Sequence, residues 1–92
     1  MAICYILYSA LLDKYYIGST ECSMQERLKK HLTNHSGFTA KAKDWIVVYQ
    51  EFFESKSEAY SRELQFKSWK SSKKIKAHIE KFNAADSEHP DL

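Results

Sequence analysis

"DKYYIGST", residues 13–20, sets two tyrosines and an isoleucine beside one of only two glycines in a 92-residue chain. Aromatic and β-branched residues mark a strand, and a glycine inside a strand marks a point where another group comes close to the backbone. Upstream, "ICYILY" at residues 3–8 has the same character, and the short "SALLDK" connection predicts an antiparallel hairpin. With ordinary registry Tyr5 and Tyr16 share one face of that hairpin, while Tyr15 and Ile17 point to the other, toward helices. A third strand follows at 46–53, "IVVYQEFF".

Helices lie on either side of that last strand in sequence. In "STECSMQERLKKHLTNHSG", Ser23 and Glu26 form a capping box, and Met24, Leu28 and Leu32 fall on one stripe. Gly37 lies in the loop that follows. A second capping box, Ser55 with Glu58, opens a helix around "EAYSRELQFKSW"; Ser71 and Ser72 interrupt it. A last helix then places Ile75, Ile79 and Phe82 on one side. The fold class is α+β, a three-stranded antiparallel β-sheet flanked by α-helices. We expect one domain over residues 1–83 and a disordered acidic tail over 84–92, "AADSEHPDL".

No apolar run approaches the ~20 residues of a membrane span. "MAICYILYSALL" has no basic residue before its apolar stretch and alternates like a strand, so it reads as part of the domain. Cys4 and Cys22 form no CxxC pair, and a reduced, cytoplasmic chain is the expectation. The net charge of +2 conceals an asymmetry, because three of the 12 acidic residues, Asp86, Glu88 and Asp91, lie in the tail. Six lysines fall between Lys67 and Lys81. Either a solvated lysine face or an anionic partner accounts for them.

A few residues break the bland pattern. Arg27 and His31, four apart on the first helix, edge its apolar stripe. One reading is a snorkelling arginine and a packed histidine; the other is a cation and a titratable ring aimed into one cleft. In the second helix, Glu63 and Lys67 fall within the arc that Ala59, Phe66, Tyr60 and Leu64 define. A carboxylate on a core face costs several kcal/mol unless a partner accepts it. An internal Glu63–Lys67 pair would do so, as would a hard divalent cation whose other positions are filled by water.

Taken together, these positions resemble the GIY-YIG nuclease superfamily. "CYI" at 4–6, "YIG" at 16–18, Arg27 with His31, and Glu63 in a helix occur in the order and spacing of that family, and "SEAYSRELQFKSWK" is similar to a helix of its small single-domain members. The likeness covers residues 2–82. It implies a divalent-metal-dependent endonuclease that hydrolyses DNA phosphodiester bonds. Tyr5 and Tyr16 would be the two motif tyrosines, either of them the general base, with His31 as a proton acceptor behind. Arg27 would neutralise the phosphoryl charge, and Glu63 would ligate Mg2+ or Mn2+. Gly18 would leave room beside the tyrosine, and Lys41, Lys43 and Lys67 would contact backbone phosphates. Ile3 and Cys4 replace the glycine and isoleucine of the first motif. Without a separate DNA-reading module, specificity would be low, structure-directed or supplied by a protein partner. The alternatives are a non-catalytic nucleic-acid-binding module of the same fold and a protein-interaction domain.

Overall fold

A strand that is apolar along both faces must lie in the middle of a sheet with cover on each side. Residues Ala2–Ser9, strand β1, meet that condition: every side chain but one is buried. β2 (Lys14–Thr20) and β3 (Ile46–Phe53) pair with it antiparallel, giving the order β2-β1-β3. The structure, a computed structural model, describes residues 1–33 and 37–87, of which 84–87 are described through their backbone only.

Alternation along β1 divides the core in two. Ile3, Tyr5 and Leu7 face one side with Ala42 and Trp45, and α1 (Met24–Thr33) packs there through Met24, Leu28 and Leu32. Cys4 and Ile6 face the other side, where Tyr49 joins Phe66 of α2 (Lys56–Ser68) and Ile75 and Ile79 of α3 (Ser72–Ser87). Burial pushes the Cys4 thiol up to about 12, so it stays protonated and inert. The β1–β2 register sets Tyr5 opposite Gly18 and Leu7 opposite Tyr16. Tyr5 and Tyr16 therefore share the α1 face, as expected, and Tyr15 and Ile17 pack on the other.

Local chemistry fixes the elements. Ser55 and Glu58 form the complete capping box at the start of α2, and the Ser23 hydroxyl accepts the Glu26 N–H at 3.2 Å before α1. Asp13 takes φ 52° in the hairpin turn, where its carboxylate accepts a 2.6 Å hydrogen bond from Tyr8. Asp44, just before β3, accepts from Ser9 Oγ at 2.6 Å and from the Leu11 N–H at 2.8 Å, tying the end of β1 to the entry of β3.

Three expectations change. The segment read as loop contains a 3-10 turn, Phe38–Lys41, which Trp45 anchors by donating Nε1–H to the Thr39 carbonyl at 2.9 Å. α3 continues past Asn83 to Ser87; the rest of the segment expected as a tail, residues 88–92, lies outside the described residues. On α2 the buried stripe is narrower than the periodicity suggests. Ala59, Glu63 and Phe66 are buried, while Tyr60 and Leu64 are 51% and 47% exposed.

Candidate active site

The unusual residues of the hairpin and of α1 meet above the middle of β2. Tyr5 is fully buried, and its ring lies across Gly18. A Cβ at position 18 would fall 2.5 Å from the Tyr5 hydroxyl and 2.7 Å from its ring carbon Cζ. The room that Gly18 leaves is therefore taken by Tyr5. Arg27 Nε donates to the Tyr5 hydroxyl oxygen at 3.1 Å, and that oxygen lies 2.8 Å from His31 Nε2. His31 Nδ1 in turn lies 3.1 Å from Thr39 Oγ1.

These partners set the direction of the chain. Arg27 can only donate, so the Tyr5 oxygen accepts from it and gives its own proton to His31. His31 must then present a bare Nε2 and carry its proton on Nδ1, donated to Thr39. That tautomer requires a neutral ring. Burial, and then the Arg27 charge, hold His31 below the usual histidine range, so the ring is neutral near pH 7. Burial also raises the Tyr5 phenol, against the opposing pull of the Arg27 hydrogen bond. The Tyr5 contact raises Arg27 itself.

Tyr16 stands at the open end of the group. Its ring is 6.5 Å from that of Tyr5 and 4.9 Å, edge-on, from that of His31. Half-buried, it lines a pocket of about 320 Å³ together with Arg27, Lys30, His31 and Phe38. Lys41 does not line this pocket; its ammonium lies 5.3 Å from the Phe38 ring. Lys43 is exposed on the connection to β3.

Glu63 belongs to a separate group on the opposite face of the sheet. It is 8% exposed, and both its oxygens are engaged: Ser19 Oγ donates to Oε1 at 2.7 Å and Lys67 Nζ to Oε2 at 2.6 Å. That pairing raises Lys67 above the usual lysine range. The pair read from the sequence is thus present, although Lys67 does not face inward; its side chain is 49% exposed. Among the described residues, Glu63 makes no hydrogen bond to Tyr5, Tyr16, Arg27 or His31. It acts on Tyr5 at longer range, contributing to the rise of that phenol. β2 joins the groups, with Tyr16 on one face and Ser19, three residues on, against Glu63.

The sequence family model that matches the chain, over residues 1–76, is described as the GIY-YIG catalytic domain. The chain belongs to the GIY-YIG family. It is 31% identical over 77 residues to a UPF0213 protein of Staphylococcus saprophyticus subsp. saprophyticus, an alignment that takes in 71% of this chain and 94% of the relative. No solved structure matches it. The GIY-YIG superfamily is one of nucleases acting on nucleic acid, and the three-stranded antiparallel sheet with its helices agrees with that membership. In this GIY-YIG domain no helix among the described residues is long and apolar enough to cross a membrane.

Three participants escaped the sequence reading. Lys30 lines the Tyr16 pocket, Thr39 holds His31, and Ser19 holds Glu63. Lys30 had a legible position, next to His31 on a helix already suspected. Thr39 had none, because its role depends on a 3-10 turn placed by Trp45.

Family membership implies a divalent metal. Among the described residues, no group of three or more His, Cys, Asp or Glu side chains could hold one. The donor set that remains is the Glu63 carboxylate with the Ser19 hydroxyl beside it, hard oxygens that suit Mg2+ with water and substrate oxygens filling its other positions. The residues fit such an ion provided that Lys67, exposed and on a flexible stem, moves off Oε2.

Proposed function

We propose that this GIY-YIG domain is an endonuclease hydrolysing DNA phosphodiester bonds, with Tyr16, Arg27 and Glu63 as catalytic residues and Tyr5 and His31 behind them. The observation that carries this reading is the Arg27–Tyr5–His31–Thr39 chain, held at the wall of a pocket open on Tyr16. Hydrolysis needs a positioned water, charge neutralisation on the phosphoryl oxygens and stabilisation of the leaving alkoxide.

Arg27 spends its Nε–H on Tyr5, which leaves its two Nη groups to take a non-bridging oxygen in the pocket. The Tyr5 oxygen already accepts one proton and donates another, and it is buried. Tyr5 is therefore a positioning residue that aims Arg27 and orients His31. Tyr16, half-buried in the lining of the pocket, is the tyrosine that meets the attacking water in this reading. Neutral His31 is the acceptor for a proton leaving the tyrosine pair. Glu63, with the Ser19 hydroxyl beside it, would hold Mg2+ or Mn2+, which would supply Lewis-acid chemistry when bound.

Cleavage of labelled single-stranded, duplex, flap and branched DNA in Mg2+ or Mn2+ tests the reading. Wild type should cut at least one of them, and Tyr16→Phe, Arg27→Ala and Glu63→Ala should each lose about 100-fold or more, the scale of general-base and electrostatic contributions. Intact substrates in every case would overturn it. One observation favours a second reading, a binding module without catalysis: both Glu63 oxygens are engaged by protein groups. That reading predicts salt-sensitive DNA binding, no cleavage, and no shift of melting temperature with Mn2+.

A further inference from the structure

The Glu63–Lys67 pair lies at one end of a groove that the tyrosine pocket does not share. The groove runs along the free edge of β2 on the α2–α3 side, with a volume of about 340 Å³. Lys14, Lys67 and Lys70 line it, and the half-buried Tyr15 and Ile17 form its accessible apolar wall, with the buried Phe66 behind them. A neighbouring depression continues it past Tyr15 to Lys73 and Lys76. Together the two carry five lysines, of which Lys67 is paired with Glu63, against one lining carboxylate, Asp13, which is already bound by Tyr8; Glu80 of α3 also acts on Tyr15. Among the described residues, Lys14, Lys70, Lys73 and Lys76 form no ion pair.

Lys70 adds an independent sign. It sits at the position after the α2 cap with φ 50°, and its N–H bonds the Lys67 carbonyl at 3.3 Å. Helices that end this way place glycine there, because a side chain in the left-handed region is strained. Lys70 is thus a strained residue lining a basic groove, and strain of this kind collects at functional sites.

We propose that this groove is a second nucleic-acid site, holding unpaired nucleotides of the strand that continues from the scissile bond; the inference rests on the nuclease reading for what lies at its Glu63 end. The lysines contact phosphates, and bases lie on Tyr15 and the apolar wall. A duplex hides its bases and has no face to offer that wall, so the groove selects single strand. From Ser19, which holds Glu63, to Lys14 is five strand steps, or about 17 Å at ~3.4 Å per residue. The carboxylate and the groove's far end are thus within reach of one short stretch of strand.

The test is fluorescence anisotropy of a labelled oligothymidine and of a labelled hairpin duplex, titrated in EDTA at several salt concentrations so that binding is read without cleavage. Lys14→Ala and Lys70→Gly should each weaken single-strand binding several-fold and lower the salt slope by about 0.7, the value for one phosphate contact on a single strand. Tyr15→Ala should cost about tenfold or more. Duplex affinity should change less than twofold. Lys70→Gly should melt at or above the wild-type temperature, since the glycine relieves strain. Unchanged single-strand affinity in both lysine variants, equal losses on both probes, or a wild type that ignores oligothymidine would each overturn the groove. Groove-dependent binding without cleavage in metal would instead overturn the nuclease reading and leave the groove standing.

Discussion

One methyl group at Gly18 would have to share space with the Tyr5 hydroxyl, since the two atoms would lie 2.5 Å apart. Tyr5 cannot swing away without releasing both Arg27 and His31. Gly18→Ala should therefore destabilise the domain by about 1–3 kcal/mol in urea unfolding and lower any cleavage rate by more than the stability loss explains. His31 carries a pH prediction. Its folded-state affinity for protons is held below the reference near ~6.5, so the unfolded chain takes the proton first as pH falls. Its contribution to stability is fully present above that reference and is lost as pH drops through it to the folded value. Unfolding midpoints should fall between pH 7 and pH 5, and His31→Gln should flatten part of that slope. His78, also held low by burial, accounts for a further part. At this scale Tyr5, Tyr16, Arg27 and His31 could be singled out because their order and spacing on β1, β2 and α1 resemble the family motifs; the residues taken singly also allowed plain packing. The seat of Tyr5 on Gly18 was not, since it depends on the exact pairing Tyr5↔Gly18.

α2 shows where periodicity succeeds and where it stops. The capping box at Ser55 and Glu58 is read directly from the residues, and Ser55→Ala should cost about 1 kcal/mol by thermal or urea unfolding. The width of the apolar face is another matter. Tyr60 and Leu64 belong to it by helical angle, yet α2 meets the sheet along a narrow line and both remain exposed. Leu64→Lys should change stability by no more than about 0.5 kcal/mol, whereas Phe66→Ala, from the centre of the second core, should cost about 3–5 kcal/mol. Similar chemistry at two nearby positions thus gives opposite outcomes, and only tertiary packing separates them. The extension of α3 to Ser87 escaped notice because acidic residues at a chain end suggest solvation and carry no stop signal for a helix.

Across the whole molecule the sheet serves as a partition. The tyrosine pocket lies on one face and the Glu63 pair on the other, with the free edge of β2 between them. The order of strands and helices could be read from the sequence, and with it the two faces. The assignment of Glu63 to the face opposite the tyrosines needed the register. Any nucleic acid engaging both must cross that edge, so its affinity should fall steeply between 50 and 200 mM salt, by tenfold or more if several phosphates are held. Anisotropy against salt concentration gives that slope directly.

Cys4 supplies the chain with a clock of its own. It lies in the middle of the central strand, with no exposed surface and a thiol that stays protonated, so a thiol reagent reaches it only after β1 has left the sheet. Cys22, half-buried before α1, has no such shield. Labelling under native conditions should give one fast thiol and one slow one, and the slow rate is that of opening the whole domain. Nucleic acid that bridges the two faces should slow that second phase and leave the first unchanged.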